Sequence, residues 1–501
     1  MSDQANGKGI SRKSSDEGSL LSDAAPAKGQ FLGHTITMSK GVLLAQVVPL
    51  LVIPILTRFY TPSDYGYLAS ILTVSGVISV MATARFELAI VLARDDAEAS
   101  TLAKATLALI VGTIGVFAAG LCVISAFEGG VLSPRVVTIL AWAIAIGGLI
   151  ALLQLCEGLA NRHRAYSVMA NTTAARVLAT SGIALVLGLF GNHGSGLLIG
   201  TLLGYAIVLV RYREILGRDV FSNWARIDVK NLCVPMRRAW QFPVYNAPVS
   251  ILQTASRDLL ILALMATQQA SAAGHFSVAR TIVNLPANWL SGALSAIYYR
   301  EAVSQVELPT FAEFTLKLTK AIVWLLVPGF TWVCFWSGDI LGMVLGEAWR
   351  PAGLSIEALS VPAFLLSLIS WPNRLFEVRA KQHWQLSSQA LFDSLAALLL
   401  LAAVSTTGSP ILMLWLFSAA LTGTYLTFLF LEHRLVGIPI GATFRVLRQA
   451  AIIGAGMWLI GFGLNLLGWP NTATLVIHGL AVAPFSAIGA RLFYRVLAGK
   501  R

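Results

Sequence analysis

The sequence predicts an all-α polytopic membrane protein with about 14 transmembrane helices: two six-helix bundles in parallel orientation and a C-terminal helix pair. Three observations carry this fold class. Apolar residues make up 56% of the 501-residue chain and charged residues only 12%, too little charge to clothe a soluble protein of this size. From residue 35 onward the apolar residues fall into blocks of about 18–25, each long enough to cross the hydrocarbon core as a helix. Lys and Arg are distributed with a strong bias. With the N-terminus inside, 28 fall on the inner side and three, Arg58, Arg135 and Arg350, on the outer side. That asymmetry is the positive-inside signature, and it places both termini on one side of the membrane. The net charge of +12 is therefore read as topology rather than as nucleic-acid binding.

Taken in order, residues 1–34 are rich in Ser, Gly, Asp and Lys, lack the apolar core of a cleavable signal peptide, and read as a disordered cytoplasmic tail. The expected spans are 35–56, 66–90, 103–126, 136–157, 170–190 and 194–211. After a polar gap come 243–265, 276–298, 318–338, 354–372, 387–405, 409–431, 448–467 and 474–497. Pro49, Pro54 and Pro362 fall inside spans, where neighbouring helices can re-satisfy a freed carbonyl. The domain plan is a six-helix lobe over 35–211, a basic cytoplasmic linker over 212–242, a second six-helix lobe over 243–431, and an added helix pair with the C-terminus over 432–501. Each lobe begins and ends inside, the parallel two-bundle plan of several transporter folds, with the substrate path at the interface. A sequence echo accompanies it: TPSDYGYLASILTV in the first half and TQQASAAGHFSVARTIV in the second both place a glycine (Gly66, Gly274) and an aromatic (Tyr67, Phe276) after a polar turn.

The loops exclude several functions. They contain no phosphate-binding G-x-x-x-x-G-K-[ST], no G-x-S-x-G, no H-E-x-x-H and no metal-spaced Cys/His set. Cys122, Cys156, Cys233 and Cys334 are far apart and form no C-x-x-C. Asp95 and Asp96 are paired acids in a loop, a pattern that can hold a metal–nucleotide-sugar. They also suit the positive end of the following helix, and that reading is preferred. Function is thus expected inside the bundle, without enzymatic chemistry.

Charges inside a bilayer are costly unless they meet a wet cavity or a partner. Arg85 and Glu87 lie roughly 10 Å from the inner end of the second span, and Arg176 enters the fifth to about the same depth. Arg257 and Asp258 lie roughly 10–12 Å from the outer end of the seventh, and Arg280 about 9 Å down the eighth. Arginine stays charged and grips phosphate bidentately, so Arg85, Arg176, Arg257 and Arg280 are the candidate anion-binding set. Each also has a structural reading: Asp258 or Arg257 as a bridge to Arg280, and Arg85 and Glu87 snorkelling to the inner surface. Glu157 is a weaker cavity candidate, Asp393 is an isolated acid suited to carrying a proton, and Arg491 reads as a snorkelling anchor.

The stretch SKGVLLAQVVPLLVIPILTRFYTPSDYGYLASILTVSGVISVMATARFELAIVLARDDAEA resembles the N-terminal signature of Wzx-type polysaccharide transporters. Their superfamily also holds the MATE exporters and the lipid II flippase. The matching features are Arg58, the Asp64-Tyr65-Gly66 step, the Arg85-Phe86-Glu87-Leu88-Ala89 run and the acidic Asp95-Asp96 loop, over about an eighth of the chain. The resemblance implies a flippase for undecaprenyl-diphosphate-linked oligosaccharide units in a bacterial inner membrane, feeding synthesis of O-antigen, capsule or exopolysaccharide. It implies no bound cofactor, a proton or sodium gradient as the drive with Asp258 or Glu87 as carriers, and a polysaccharide polymerase as partner. A lipid II flippase is similar in architecture and in its anionic lipid substrate. A MATE-like exporter would favour acids over arginines, and a ligase or polymerase would carry a large outer catalytic loop.

Overall fold

The computed structural model describes residues 48, 50–126, 133–191, 194–213 and 229–498. The expected tail, most of the first span and half of the basic linker lie outside the described residues. Among the described residues the chain is helical, with no β-strand.

Residues 50–56 are helical and lead into a turn that ends at Thr61. Thr61 caps the next helix, α1 (Pro62–Thr83): its backbone N–H donates to Asp64 Oδ2 at 2.8 Å, and Asp64 N–H donates to Thr61 Oγ1 at 3.3 Å. The local sequence Thr-Pro-Ser-Asp supplies this capping box directly, with proline at the first helical position. The helix ends at Ala84 and Arg85, both left-handed at φ 46° and 63°. A short α2 (Phe86–Val91) follows. The span expected over 66–90 is thus two helices joined by a strained break that no glycine or proline announces.

Next come α3 (Asp96–Ala126), α4 (Pro134–Arg162), α5 (Tyr166–Leu189) and α6 (Gly196–Val210). Asp95 Oδ1 accepts from the Glu98 N–H at 2.7 Å, and Asp96 pairs with Arg162 at 3.0 Å, so the paired acids cap and anchor a helix. Helix α6 packs along α5 through small residues at four-residue spacing. A Cβ on Gly200 would lie 2.9 Å from the Thr180 carbonyl oxygen, and one on Gly204 would lie 2.3 Å from the Thr180 methyl.

The linker's described part holds α7 (Val229–Arg238), tied to α3 by Arg238–Glu98 at 3.3 Å. A π-helical turn over Phe242–Asn246 leads into α8 (Ala247–Arg257) and α9 (Leu259–Ala266), the whole bent by 60° at Asp258. Then follow α10 (Ala270–Val283), α11 (Leu285–Gln305), α12 (Pro309–Phe335), α13 (Ser337–Leu345), α14 (Ala352–Ile369) and α15 (Leu375–Val378). The chain finishes with α16 (Gln382–Thr406), α17 (Pro410–Leu435), α18 (Ile440–Asn465) and α19 (Asn471–Leu497). The last two helices pack on α12, where Gly489 lets α19 approach the Trp324–Leu325 backbone. The largest core lies here, around Tyr298, Phe311, Trp371 and Phe376.

Ten of these helices are long and apolar enough to cross a membrane, eleven if the bent α8–α9 pair is one span. This is a multi-pass membrane protein. The count falls short of fourteen for three structural reasons. The first span lies mostly outside the described residues, α6 has only 15 residues, and the span expected over 276–298 is divided between α10 and α11 at Asn284.

Candidate functional site

A cavity of about 870 Å³ lies between the first-half helices α1, α5 and α6 and the second-half helices α8, α9 and α10. Its size falls in the upper range of small-molecule sites. Three of the arginines singled out from the sequence line it, Arg176, Arg257 and Arg280, together with Asp258. The bend between α8 and α9 positions two of these. Because α8 ends at Arg257, the Arg257 carbonyl is free to accept from Arg280 Nη1 at 2.8 Å, and Asp258 Oδ1 sits 2.6 Å from Arg280 Nη2. Arg280 is therefore neutralised and oriented, also lying over the Phe276 ring at 5.2 Å. Of the alternatives open for this trio, Asp258 makes the bridge. Arg176 reaches in from α5, donates to the Tyr205 hydroxyl at 2.6 Å and lies over the same ring. The Arg257 guanidinium is exposed to the cavity and has no hydrogen-bond or ion-pair partner among the described residues. Three arginines against one aspartate give the lining a formal charge of +2.

Part of the remaining wall carries hydroxyl and amide groups, from Thr180, Ser181, Gln253, Thr254, Ser277 and Thr281, and the rest is aliphatic, with Leu56, Leu68, Leu72, Ile150, Leu197 and Ile261 among it. The sequence reading missed these and Tyr65, whose buried hydroxyl has no hydrogen-bond partner among the described residues. A usable signal existed, since Ser277, Arg280 and Thr281 share one helical face, as do Gln253, Thr254 and Arg257.

The other candidates lie elsewhere. Arg85, expected in the cavity, is not part of its lining. The left-handed break turns its guanidinium toward Glu87, at 3.2 Å, and its Nε donates to Ser250 Oγ on α8 at 2.8 Å. It thus cross-links the two halves below the cavity, and Glu87, 4% exposed, is its counter-ion rather than a cavity acid. Asp393 is also off the lining; its Oδ1 accepts from Gln389 at 2.8 Å. Glu157 lies behind Arg176 rather than in the cavity. Arg491 is exposed, as an anchor would be.

At the Pro62 end the two halves meet through their echoing glycines. A Cβ on Gly66 would lie 1.9 Å from the Ala270 carbonyl oxygen, and one on Gly274 would lie 1.7 Å from that of Pro62. Helices α1 and α10 therefore cross backbone to backbone. Ser63 Oγ and Ser271 Oγ lie 2.7 Å apart across this crossing, and Tyr65 packs edge-on against Trp349 at 5.1 Å. Arg58 Nη2 donates to the Met343 and Val344 carbonyls at the C-terminus of α13, at 3.4 and 3.2 Å, which suits the negative end of that helix.

Comparison with solved structures places this architecture. It superposes on the lipid II flippase MurJ in an inward closed conformation with a TM-score of 0.67 and 13% identity, over 92% of this chain and 100% of that one. The Vibrio cholerae MATE transporter VcmN matches with a TM-score of 0.50 and 13% identity, over 81% and 96%. A transporter of the MOP superfamily from Pyrococcus furiosus gives 0.50 and 14%, over 81% and 96%. No curated protein sequence matches the chain. The family model described as polysaccharide biosynthesis protein matches residues 55–354, more than half the chain and the whole of the cavity lining beyond Ile53. The chain belongs to this polysaccharide biosynthesis family.

Proposed function

We propose that the protein is a flippase for undecaprenyl-diphosphate-linked oligosaccharide units, acting by alternating access without covalent chemistry. The observation that carries this is the cavity between the halves: formally +2, with Arg257 exposed and unpaired among the described residues, and with hydroxyl and amide groups set among aliphatic side chains on its wall. A diphosphate meets the arginines, a glycan meets the hydroxyl and amide groups, and a polyprenyl tail stays in lipid. A MATE-like exporter of cationic drugs is disfavoured by the same charge. Lipid II shares the anionic chemistry and is the second reading, favoured by the MurJ-like fold.

In this reading the lobes are 35–211 and 243–431, both termini are cytoplasmic, and the membrane is a bacterial inner membrane. The glycine crossing then forms the periplasmic seal, and Arg85–Ser250 ties the cytoplasmic side. A proton or sodium gradient drives the cycle, with Asp258, Glu87 and Asp393 as the candidate carriers. Asp258 and Glu87 hold arginines, whereas Asp393 Oδ2 is buried with no hydrogen-bond partner among the described residues. A polysaccharide polymerase receives the product.

The test is translocation of labelled lipid-linked oligosaccharide in inverted vesicles carrying the protein. Glycan reaching the lumen at a rate above empty vesicles is expected. Movement of lipid II but not of the oligosaccharide lipid transfers the assignment to the second reading, and movement of neither sinks both.

A further inference from the structure

Glu432 lies near the C-terminal end of α17 in the apolar core, 1% exposed, and neither carboxylate oxygen has a hydrogen-bond partner among the described residues. It is far along the chain from Asp258, the acid of the cavity lining, and it does not line the cavity. Tyr298 of α11 is within electrostatic reach, 4% exposed. The Tyr298 hydroxyl is 2.9 Å from Thr315 Oγ1 of α12. Trp371, beyond α14, stands edge-on to Tyr298 at 4.7 Å, and its buried indole N–H is also without a partner among the described residues.

The hydrogen bookkeeping decides what this cluster can take. Thr315 donates its one hydroxyl proton to the Phe311 carbonyl at 2.9 Å. The Tyr298 hydroxyl must therefore donate to Thr315, which leaves the Tyr298 oxygen an acceptor. An ionised Glu432 would bring more acceptors and a net charge to a place that lacks cations among the described residues. Ionisable groups on the surrounding elements are exposed or engaged elsewhere. Lys317 and Lys320 on α12, Glu377 on α15, Arg434 on α17 and Arg445 and Arg448 on α18 are exposed. Arg379 is engaged by Glu307 and the Leu435 carbonyl, Glu301 by Gln305, and His433 by Thr443. A buried carboxylate without partner or counter-ion is strongly disfavoured against a protonated carboxyl, which is neutral.

We propose that Glu432 is a proton-binding site of the second half, separate from the central cavity, that holds its proton at neutral pH. The inference is independent of the transported substrate, because its test contains none. Purified protein at neutral pH is compared with E432Q by infrared difference spectroscopy. The wild type shows a protonated-carboxyl C=O band that E432Q loses. A carboxylate band in place of the acid band, or an acid band of equal intensity in E432Q, overturns the proposal. If E432Q is not monodisperse, E432L, which keeps an apolar core, serves in the same subtraction.

Discussion

Arg257 and Arg85 were equal candidates by sequence, since both are arginines inside apolar spans. Their surroundings make them opposite in kind, and mutation should separate them. Arg257 faces the cavity without a partner among the described residues, so its removal leaves no buried charge behind. Arg257→Ala is expected to keep protein level and thermal stability and to lower translocation by about 10–100-fold, the worth of one or two charge-assisted hydrogen bonds. Arg257→Lys keeps the charge but not the bidentate fork and should recover only part of the rate. Wild-type rates in both variants would remove Arg257 from the substrate path. Arg85, by contrast, neutralises the buried Glu87 and stands at the N-terminal boundary of α2. Arg85→Ala should cost about 3–5 kcal/mol by stranding that carboxylate, read as a lower melting temperature and less protein in the membrane. Arg85→Ala with Glu87→Gln should regain most of the stability. A stable Arg85→Ala protein would show that the pair is not structural.

At the scale of elements, the long helices were legible because a 20-residue apolar run has few other uses. The breaks within them were not. Ala84–Arg85 interrupts a continuous apolar stretch without glycine or proline, and is held by Arg85 reaching Glu87 and Ser250, the latter 165 residues away. The bend at Asp258 is equally tertiary, fixed by Arg280 on the next helix. Both breaks carry a candidate site residue, so the irregular backbone lies where the charges are, in line with non-helical backbone at membrane depth being tolerated where protein buries it or a cavity meets it. The glycine echo was visible in sequence, but its meaning was not. Gly66 and Gly274 belong to one contact rather than to two equivalent ones. That contact predicts a lock. Ser63→Cys/Ser271→Cys should form a disulfide under mild oxidation, abolish translocation, and regain it on reduction. Gly274→Leu should hold α1 and α10 apart and also abolish translocation, with the engineered disulfide no longer forming in that background. Unimpaired transport by the oxidised double-cysteine protein would mean that this crossing does not open in the cycle.

For the whole molecule, the decisive quantity is the sign of the cavity. The MurJ-like and MATE-like matches show one fold carried by chains with 13% identity to this one, so fold alone cannot choose the cargo. The lining can, because its +2 charge repels a cation before any fine recognition begins. Binding dominated by Arg–phosphate contacts in this positively charged cavity should weaken with ionic strength while the cavity is open to solvent, and should be competed by lipid diphosphates with different glycans. Cationic dyes of the kind used to assay drug exporters should neither compete nor accumulate. Charge reversal sharpens the point: Arg257→Glu takes the formal charge of the lining from +2 to 0, and should abolish movement of diphosphate lipids without destabilising the protein. If Arg257→Glu still moves the anionic lipid, the cavity is not its route. The arginines would then be scaffolding for the bent helices α8 and α9 rather than for a headgroup.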